Sequence, residues 1–384
     1  MVGWILLILV VAFVVVLLVR AARFVPANTQ HSEPTPCEVD AELAAQHLVQ
    51  MIRIPTVSSY RVEEFDEKKF EQFRQLLPTL YPHVFETCGY ERLDHTEMLF
   101  TWKGKSSAAP VVLMAHYDVV PVEEARWQHP PFCGEIFDGE LWGRGTLDTK
   151  ITLMGILEAA EQKIKEGFVP QNDVYLAFSG DEEVSGNGAP AAVEALKSRG
   201  VRPAMVVDEG GAVVQGVFPG VSAPMAVIGI GEKGLADMEV IAKSEGGHAS
   251  HPPVHGAVGK MSRAVVACEK HQFKAELSTP IRAMLNTVGP YAPFGLRIVF
   301  ANLWCFGGLL AAAANKLGSE MNAMMRTTMA FTMARGSKQT NVMPNEAVAS
   351  VNLRLLNTTT VEQAAEHLRR AINDWRPGML RVRE

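Results

Sequence analysis

Three acidic side chains stand next to one another in "SGDEEVSGN", which covers residues 179–187. Asp181, Glu182 and Glu183 follow the apolar run "DVYLAF", which is typical of a buried strand. Adjacent carboxylates repel one another unless a cation neutralises part of their charge. The pattern therefore predicts a cation-binding site just beyond the end of this strand.

Other residues that can bind or tune a cation occur at three further places. His116 and Asp118 end "VVLMAHYD", and alternation along an extended segment puts both side chains on the same side. Asp148 lies in a glycine-bearing loop before a predicted helix, in "LWGRGTLDTK", and "MVVDEGG" ends another apolar run. A lone H-x-D or D-E-E is more typical of a turn or a solvated loop. Four such elements at successive strand ends indicate one shared site.

Imidazole and carboxylate ligands together favour zinc, and manganese or cobalt could occupy the same set. The alternative from a different class is a binding module whose carboxylates hold calcium for structure, because calcium prefers oxygen ligands. The presence of His116 argues against calcium. The sequence therefore predicts a zinc-type site.

The elements that must position these residues alternate along the first half of the chain. The predicted strands are "VVLMAHYDVV", "DVYLAFSG" and "AMVVDEGG", and the predicted helices between them are "ITLMGILEAAEQKIKEG" and "GAPAAVEALKSRG". This alternation predicts an α/β fold with a mostly parallel sheet flanked by helices. Ligands of doubly wound sheets bind at the carboxyl ends of the strands, where the polar residues above are predicted to lie.

The pattern changes near Ile228. The segments "MEVIAKS", "RTTMAFTMARG" and "AVASVNLRLLN" are typical of half-exposed strands, and helices are predicted near residues 256–271 and 360–375. We therefore expect a smaller α+β sandwich. The predicted organisation is an anchor over residues 1–22, a linker over 23–39, a catalytic metal-binding domain over 40–228 and a lid or dimerisation domain over 229–384.

The amino terminus is apolar without interruption from Val2 to Val19 and is followed by Arg20 and Arg23. This length is enough to span a bilayer. A cleaved signal peptide is the alternative, but its apolar region is usually only about 7 to 15 residues long, and no clean A-x-A site follows here. A single-pass transmembrane helix is predicted, and the side of the membrane on which the body lies stays open.

Composition excludes several other classes of protein. The net charge is −6 and the basic residues are scattered, so a nucleic-acid partner is not expected. The five cysteines form no C-x-x-C pair and are odd in number, which argues against a disulfide framework.

Five segments carry a resemblance to a known family: "LMAHYDVVPV", "LWGRGTLDTK", "FSGDEEVSGNGA", "VDEGG" and "GGHASHPP". They are similar to motifs of the binuclear zinc metallopeptidase family that includes carboxypeptidase S, the aminoacylases and the glutamate carboxypeptidases. The "EKG" segment at residues 232–234 resembles the group of carboxypeptidase S (Gly-X carboxypeptidase) and the N-fatty-acyl-amino-acid hydrolases. The resemblance implies a zinc-peptidase fold with an inserted smaller domain.

The resemblance also implies roles for the acidic constellation. Asp148 would bridge two zinc ions, His116 and Asp208 would complete one metal site, and Glu183 would bind the other metal. Asp208 and Glu209 compete for the same role, because relatives ligate from either of two neighbouring positions, and Asp208 is preferred. Two zinc ions per active site are therefore expected as the cofactor.

Three further residues receive catalytic roles from the resemblance. Glu182 would act as general base toward the attacking water, and Asp118 would orient the ring of His116. His248, in the glycine-rich "SEGGHASHPP", would donate a hydrogen bond to the oxyanion. In relatives the matching histidine reaches the other subunit of a dimer, so a homodimer through the smaller domain is an expected partner arrangement.

Substrate binding is implied for Asn341 and Arg354 in "TNVMPNEAVASVNLRLL". They resemble residues that clamp a free carboxylate, a group onto which a guanidinium can place two parallel hydrogen bonds. The expected substrate is then a small peptide or an N-acyl amino acid. The expected function is a metal-dependent carboxypeptidase or N-acyl-amino-acid amidohydrolase that cleaves an amide bond next to a free carboxylate.

The chain departs from the family in one respect. Members normally return to the first domain after the smaller one and supply a last histidine ligand, whereas His367 is the only histidine that follows Asn341 here. His367 lies in an amphipathic segment that favours a helix-surface role. Two interpretations stay open: a truncated form of an active enzyme, or a non-catalytic, membrane-tethered relative that binds without hydrolysing.

Overall fold

The structure of this protein is a computed structural model that describes residues 1–27, 38–59, 65–218, 220–316, 318–373 and 380–382. Contacts within the chain divide it into two compact units. The central unit comprises Ser32–Gly210, and the split unit combines Met1–His31 with Gly211–Glu384. The predicted linker over 23–39 falls mostly on residues 28–37, which lie outside the described residues.

Helices begin where a polar side chain can cap the free amide groups of the first turn. The carboxylate of Asp40 accepts a hydrogen bond from the amide of Leu43, and that of Asp66 accepts one from the amide of Lys68. In chain order the α-helices are α1 (Val2–Arg23), α2 (Ala41–Ile52), α3 (Glu67–Leu80), α4 (Pro82–Thr87), α5 (Ile151–Lys165), α6 (Gly188–Ser198), α7 (Ala257–Lys270), α8 (Thr279–Val288), α9 (Phe294–Phe300), α10 (Leu303–Ala313), α11 (Ser319–Met325) and α12 (Val361–Asn373).

Strands form five separate sheets among the described residues. In chain order they are β1 (Gly89–Leu93), β2 (Glu97–Trp102), β3 (Ser106–His116), β4 (Glu135–Phe137), β5 (Glu140–Trp142), β6 (Asn172–Ser179), β7 (Met205–Val207), β8 (Ala212–Val214), β9 (Met225–Val227), β10 (Gly234–Lys243), β11 (Gly247–His248), β12 (Thr328–Arg335), β13 (Val342–Met343), β14 (Glu346–Leu355) and β15 (Leu380–Val382).

The main sheet of the central unit has the order β1-β2-β6-β3-β7. Strands β6, β3 and β7 run parallel, whereas β1 pairs antiparallel with β2, and β2 pairs antiparallel with β6. The prediction of a mostly parallel sheet is therefore wrong: the sheet is mixed. The physical reason is the short connection between β1 and β2, since a few residues can join only antiparallel neighbours.

Both faces of this sheet are covered by apolar side chains, as parallel strands require. One face packs against α3 and α5 through fully buried aromatic residues, among them Phe73, Tyr117 and Phe178. The other face packs against α6 through Ala192 and Leu196. The sheet is thus a rigid core whose strand ends can hold side chains in fixed positions.

The split unit contains an antiparallel sheet of order β12-β14-β10-β15. Helices α7 and α12 bury apolar side chains against it, including Ala264, Cys268 and Leu368. The strands and helices that the sequence predicts after Ile228 lie in this layer. Its core is separate from that of the central sheet.

Four helices, α8 to α11, lie between α7 and β12, in a stretch where the sequence patterns led to no prediction. They form a second apolar cluster of the split unit around Ile281, Leu285 and Phe300, and Phe24 at the end of α1 packs into the same cluster. Among the described residues, α1 is the helix that is long and apolar enough to cross a membrane, and the pair α9–α10, bent by 100°, passes the same test together.

Candidate metal centre

The site lies at the carboxyl ends of the parallel strands of the central unit. His116 is the last residue of β3, and it pairs in register with Ser179, the last residue of β6. Strand β7 ends at Val207, opposite Leu113 and three positions before His116 on β3. This register brings the "HYD", "GDEE" and "DEGG" segments to one edge, as the sequence predicts.

The imidazole of His116 is almost fully buried and has a different partner at each nitrogen. Its Nδ1 atom lies 3.0 Å from the backbone oxygen of Asp118 and 3.3 Å from Oδ1 of the same residue. Its Nε2 atom lies 3.0 Å from Oδ1 of Asp148 and 3.2 Å from Oε2 of Glu209. Asp118 therefore fixes the ring, and Nε2 is the nitrogen that faces the acidic cluster.

Two groups of potential ligand atoms converge on Nε2. In each group the atoms lie within 4.8 Å of one another: one group is His116, Asp148 and Glu183, and the other is His116, Glu182 and Glu209. Three of the four metal ligands implied by the resemblance, His116, Asp148 and Glu183, thus come together in the structure. Because His116 belongs to both groups, the two groups form one continuous cluster.

The ionisation of the cluster reflects its excess of negative charge. Burial lowers the pKa of His116, but Asp118, Glu209 and Glu182 outweigh burial and raise this pKa to about 10. Burial and the neighbouring carboxylates raise the pKa of Glu182, of Glu183 and of Glu209. Divalent cations would remove this repulsion, since their charge stabilises the ionised form of every carboxylate around them.

Asp118 also organises the acidic segment after β6. Its side chain is fully buried, and its two oxygens each accept a backbone hydrogen bond at 3.1 Å, one from the amide of Glu182 and one from the amide of Glu183. The same carboxylate thus holds His116 and both glutamates. The position agrees with the orienting role that the resemblance implies.

The first acid of the "DEE" run has a different environment. Asp181 accepts hydrogen bonds from Oγ of Ser179 at 2.7 Å and from the amides of Asn187 and Gly188 at 2.9 and 3.1 Å. It therefore closes the turn before α6, as an acidic residue does at a helix amino terminus. Only the second and third acids of the run face the metal-binding cluster.

Asp148 is presented by a tight turn that needs a glycine. Gly145 has φ +89°, and a Cβ at this position would come within 2.6 Å of a methyl group of Val119. Two residues beyond Asp148, the buried Nζ of Lys150 donates to the backbone oxygens of Met51 and Ile54 at 3.0 and 2.8 Å. The loop is therefore fastened on both sides of the carboxylate.

Of the pair that follows β7, Glu209 is the residue that approaches His116. Among the residues that the structure describes, Asp208 contributes a ligand atom to neither of the two groups, although its charge acts on Glu182 and Glu209. The prediction of Asp208 as the ligand rests on the family resemblance alone. The structure places Glu209, the alternative candidate, in the cluster instead.

Two of the predicted catalytic and substrate residues neighbour each other within the split unit. Strand β11 pairs with β13, so that His248 lies opposite Val342, and the amide of Ala249 donates to the backbone oxygen of Asn341 at 3.0 Å. The ring of His248 is exposed and bonds to Oγ of Ser250 at 2.8 Å through Nδ1. Its Nδ1 atom is therefore engaged within the same loop.

Arg354 is not brought to these residues. It lies near the end of β14, opposite Leu235, while the end of that strand nearest Asn341 is Glu346. Arg354 lies eight positions after Glu346 in this extended strand, which amounts to about 27 Å. A shared carboxylate clamp of Asn341 and Arg354 within one chain therefore does not fit the observed register.

His367 has the surface role that its amphipathic segment predicts. Its ring stacks on Phe273 at 3.9 Å between ring centroids, and its Nε2 atom lies 2.6 Å from the backbone oxygen of His271. All three residues belong to the split unit.

The residues present fit a zinc-type metal better than calcium. The centre of the cluster is an imidazole nitrogen whose other nitrogen is held by a carboxylate, an arrangement characteristic of zinc-binding histidines. Carboxylates from three further segments surround that nitrogen. Calcium sites use oxygen ligands throughout, so a buried imidazole at the centre argues against them.

Comparison with known proteins agrees with the motifs and the geometry. The profile of peptidase family M20/M25/M40 matches residues 112–373. The chain is 36% identical over 344 residues to the N-fatty-acyl-amino acid synthase/hydrolase PM20D1 of Xenopus tropicalis, an alignment that covers 88% of this chain and 67% of that protein. It is 32% identical over 380 residues to the probable carboxypeptidase S-like 2 of Dictyostelium discoideum, covering 95% of this chain and 73% of that protein.

Among solved structures, the M20 family metallo-carboxypeptidase Sso-CP2 of Sulfolobus solfataricus has the same fold, with a TM-score of 0.61 at 17% identity over 90% of this chain and 78% of the other. The alignments with the two relatives span about two thirds to three quarters of their lengths. The family profile covers more than half of this chain and includes all the segments that form the acidic cluster. The chain therefore belongs to peptidase family M20/M25/M40 and is a metal-dependent hydrolase of that family.

Proposed function

We propose that this protein hydrolyses an amide bond next to a free carboxylate, in a small peptide or an N-acyl amino acid. The proposal rests on two groups of potential ligands that share His116 at one sheet edge. One group adds Asp148 and Glu183, and the other adds Glu182 and Glu209. The names of the two relatives, N-fatty-acyl-amino acid synthase/hydrolase and probable carboxypeptidase S-like 2, support this substrate class.

We propose that His116, Asp148, Glu183 and Glu209 hold the metal, with two zinc ions as the expected complement and manganese or cobalt as substitutes. When bound, the metal supplies a nucleophilic water at neutral pH and stabilises charge on the attacked carbonyl oxygen. Asp118 keeps Nδ1 of His116 engaged, so that Nε2 remains directed at the cluster.

Glu182 is the proposed general base. It approaches Nε2 of His116 only to 3.9 Å, farther than Asp148 or Glu209, and its side chain is half exposed. A carboxylate in this position can take a proton from the attacking water and deliver it to the leaving nitrogen. Its raised pKa supports this role, because a carboxylate with a higher pKa is the stronger base.

The central unit is the proposed catalytic domain, and the split unit is the proposed lid or dimerisation domain. His248 and Asn341 are proposed to contact the substrate. In the described residues, strand β12 is at an edge of the antiparallel sheet of the split unit. This edge offers unpaired backbone groups to a second copy of the chain. Light scattering of the purified protein tests the dimer.

We also propose that α1 is retained as a single membrane span. The amide nitrogen Nδ2 of the fully buried Asn302 donates to the backbone oxygen of Leu17 at 3.2 Å, and Nε of Arg20 donates to Oδ1 of Asn302 at 3.0 Å. Removal of α1 as a signal peptide would take away two of the four hydrogen-bond partners of this side chain.

The test is hydrolysis by the full-length chain loaded with zinc. We expect turnover of an N-acyl amino acid and a much lower rate with its methyl ester, which lacks the free carboxylate. The Glu182→Gln variant should keep its metal content and lose about 10²–10⁴-fold in kcat. Binding of the N-acyl amino acid with no hydrolysis by the metal-loaded wild type would support the non-catalytic alternative instead.

A further inference from the structure

The helix α10 has an exposed face without a single polar side chain. Trp304, Gly308, Leu309 and Ala312 are exposed at intervals typical of one helix face, and the exposed fractions of Trp304 and Leu309 are 61% and 68%. The opposite face packs into the apolar cluster of α8 and α9. A helix that is apolar on all sides requires an apolar environment on all sides.

The neighbouring α8 provides an internal comparison. It buries Ile281 and Leu285 in the same cluster, but its exposed positions include Arg282, Asn286 and Thr287. This is the ordinary pattern of a helix with one face in water. The all-apolar exposed face of α10 therefore differs from that of α8.

The exposed face of α10 adjoins the end of α1. The rings of Phe13 and Trp304 meet edge to face at 6.0 Å between centroids. Arg20 donates through Nη2 to the backbone oxygen of Ala301 at 2.9 Å. If α1 crosses a bilayer with Arg20 at the surface, Phe13 lies seven residues deeper, or about 10 Å. The Trp304 ring in contact with it then lies in the same apolar layer.

At the bend between α9 and α10, the side chain of Asn302 has its polar atoms satisfied internally. The side chain of Asn302 donates to the backbone oxygens of Leu17 and Ile298, and it accepts from Arg20 and from Nε1 of Trp304. Lipid offers no hydrogen bonds, so irregular backbone at membrane depth must be satisfied within the protein. An arginine pair at the end of α1, Arg20 and Arg23, and the aromatic Trp304 are also typical of a membrane interface.

We propose that the exposed face of α10, together with the carboxyl-terminal half of α1, is immersed in the interfacial layer of a phospholipid bilayer. The split unit is then attached to the membrane by two elements: a span and an interfacial helix. The inference rests on the proposed membrane span. The inference adds to the proposed span that lipid covers the exposed face of α10, which lies outside α1.

The experiment uses the full-length chain reconstituted in vesicles of phosphatidylcholine brominated in its acyl chains, which quench tryptophan fluorescence on contact. Trp4, exposed near the start of α1, reports insertion of the span, and Trp304 reports the face of α10. Quenching is compared for wild type, Trp4→Phe and Trp304→Phe. We expect each variant to lose a comparable part of the wild-type quenching, with unchanged far-UV circular dichroism.

A second pair of variants tests the face without altering the reporter. Leu309→Asp should lower the quenching of Trp304, because a carboxylate on the exposed face opposes immersion in lipid. Val266→Asp, at an exposed apolar position on α7, should leave it unchanged. Loss of quenching in Trp4→Phe but not in Trp304→Phe would overturn the inference and leave the span intact. If neither variant loses quenching, both the inference about α10 and the proposed membrane span are overturned. A dimer in wild type that dissociates in Leu309→Asp, without lipid quenching of Trp304, would assign the face to a second copy and reject lipid.

Discussion

The Nε2 atom of His116 lies 3.2 Å from Oε2 of Glu209 and belongs with Glu182 and Glu209 to one compact ligand group. Glu209 follows β7, so the third parallel strand delivers a carboxylate to the same nitrogen that the first strand presents. Two neighbouring acids were available for this position, and the observed backbone directs the second one inward.

Glu209→Gln should lower zinc affinity at least tenfold, because removal of a charged ligand weakens a metal site more than removal of a distant charge. The matched variant Asp208→Asn should change affinity much less. Isothermal titration of zinc into metal-free protein measures both. A larger loss in Asp208→Asn than in Glu209→Gln would contradict the assignment.

Asp118→Asn should weaken zinc binding by about 10–100-fold while the chain stays folded, because residues that orient a metal-binding histidine have effects of this size. The amide side chain keeps the shape but loses the charge that holds Nδ1 of His116. Asp138→Asn, on the exposed β4–β5 turn, serves as a control for removal of one negative charge. Equal affinities in the two variants would rule out the orienting role.

Glu97→Gln should alter the pH dependence of stability. Burial, and then the charge of Asp181, raise the pKa of Glu97 from 4.5 to about 8. Oε2 of Glu97 has no hydrogen-bond partner within the described part of the chain. Because the pKa of Glu97 is higher in the folded state, the contribution of its protonated form to stability is complete below the ordinary pKa of 4.5. This contribution is lost as the pH rises toward 8.

We therefore expect the melting temperature of wild type to fall relative to that of Glu97→Gln between about pH 5 and about pH 8.5, since glutamine mimics the protonated acid without titrating. Thermal unfolding followed by circular dichroism at several pH values measures the difference. A constant difference across this range would show that Glu97 does not titrate with a raised pKa in the fold.

Lys150→Met should destabilise the central unit by about 1–3 kcal/mol, because the backbone oxygens of Met51 and Ile54 would be left buried without their donor. Chemical denaturation measures the change in the free energy of unfolding. Lys165→Met, at a half-exposed lysine near the end of α5, is the matched control and should change it by less than about 0.5 kcal/mol.

Zinc should raise the melting temperature of metal-free protein, because bound cations relieve the repulsion among the carboxylates around His116. At a free zinc concentration of a hundred times the dissociation constant, the stabilisation amounts to about 2.7 kcal/mol. The Glu183→Gln variant should show a smaller rise. Calcium at the same concentration should have little effect, and an equal effect of calcium would favour the oxygen-only type of site.

Much of the site could be predicted from sequence because its residues follow strand ends, which apolar runs reveal directly. His116 and Ser179 end neighbouring strands in register, and the topology alone then brings their loops together. The roles within "DEE" were less accessible. The capping role of Asp181 depends on the amides of Asn187 and Gly188, whose turn is closed by the tertiary fold.

Three features depended on tertiary structure that patterns do not encode. Asp208 and Glu209 differ in side-chain length by one methylene group and in the direction that the backbone gives each side chain after β7. Arg354 matched a family position, but the register of β14 carries it away from Asn341. The antiparallel hairpin of β1 and β2 is not indicated by the sequence, because its strands are short and lack the long crossover helix that identifies parallel pairs.

Asp118 has a consequence for the mechanical precision of the site. One buried carboxylate is bonded to the imidazole at the end of β3 and to the amides of Glu182 and Glu183 after β6. The placement of the imidazole relative to the backbone of Glu182 and Glu183 therefore depends on one buried group instead of three independent contacts.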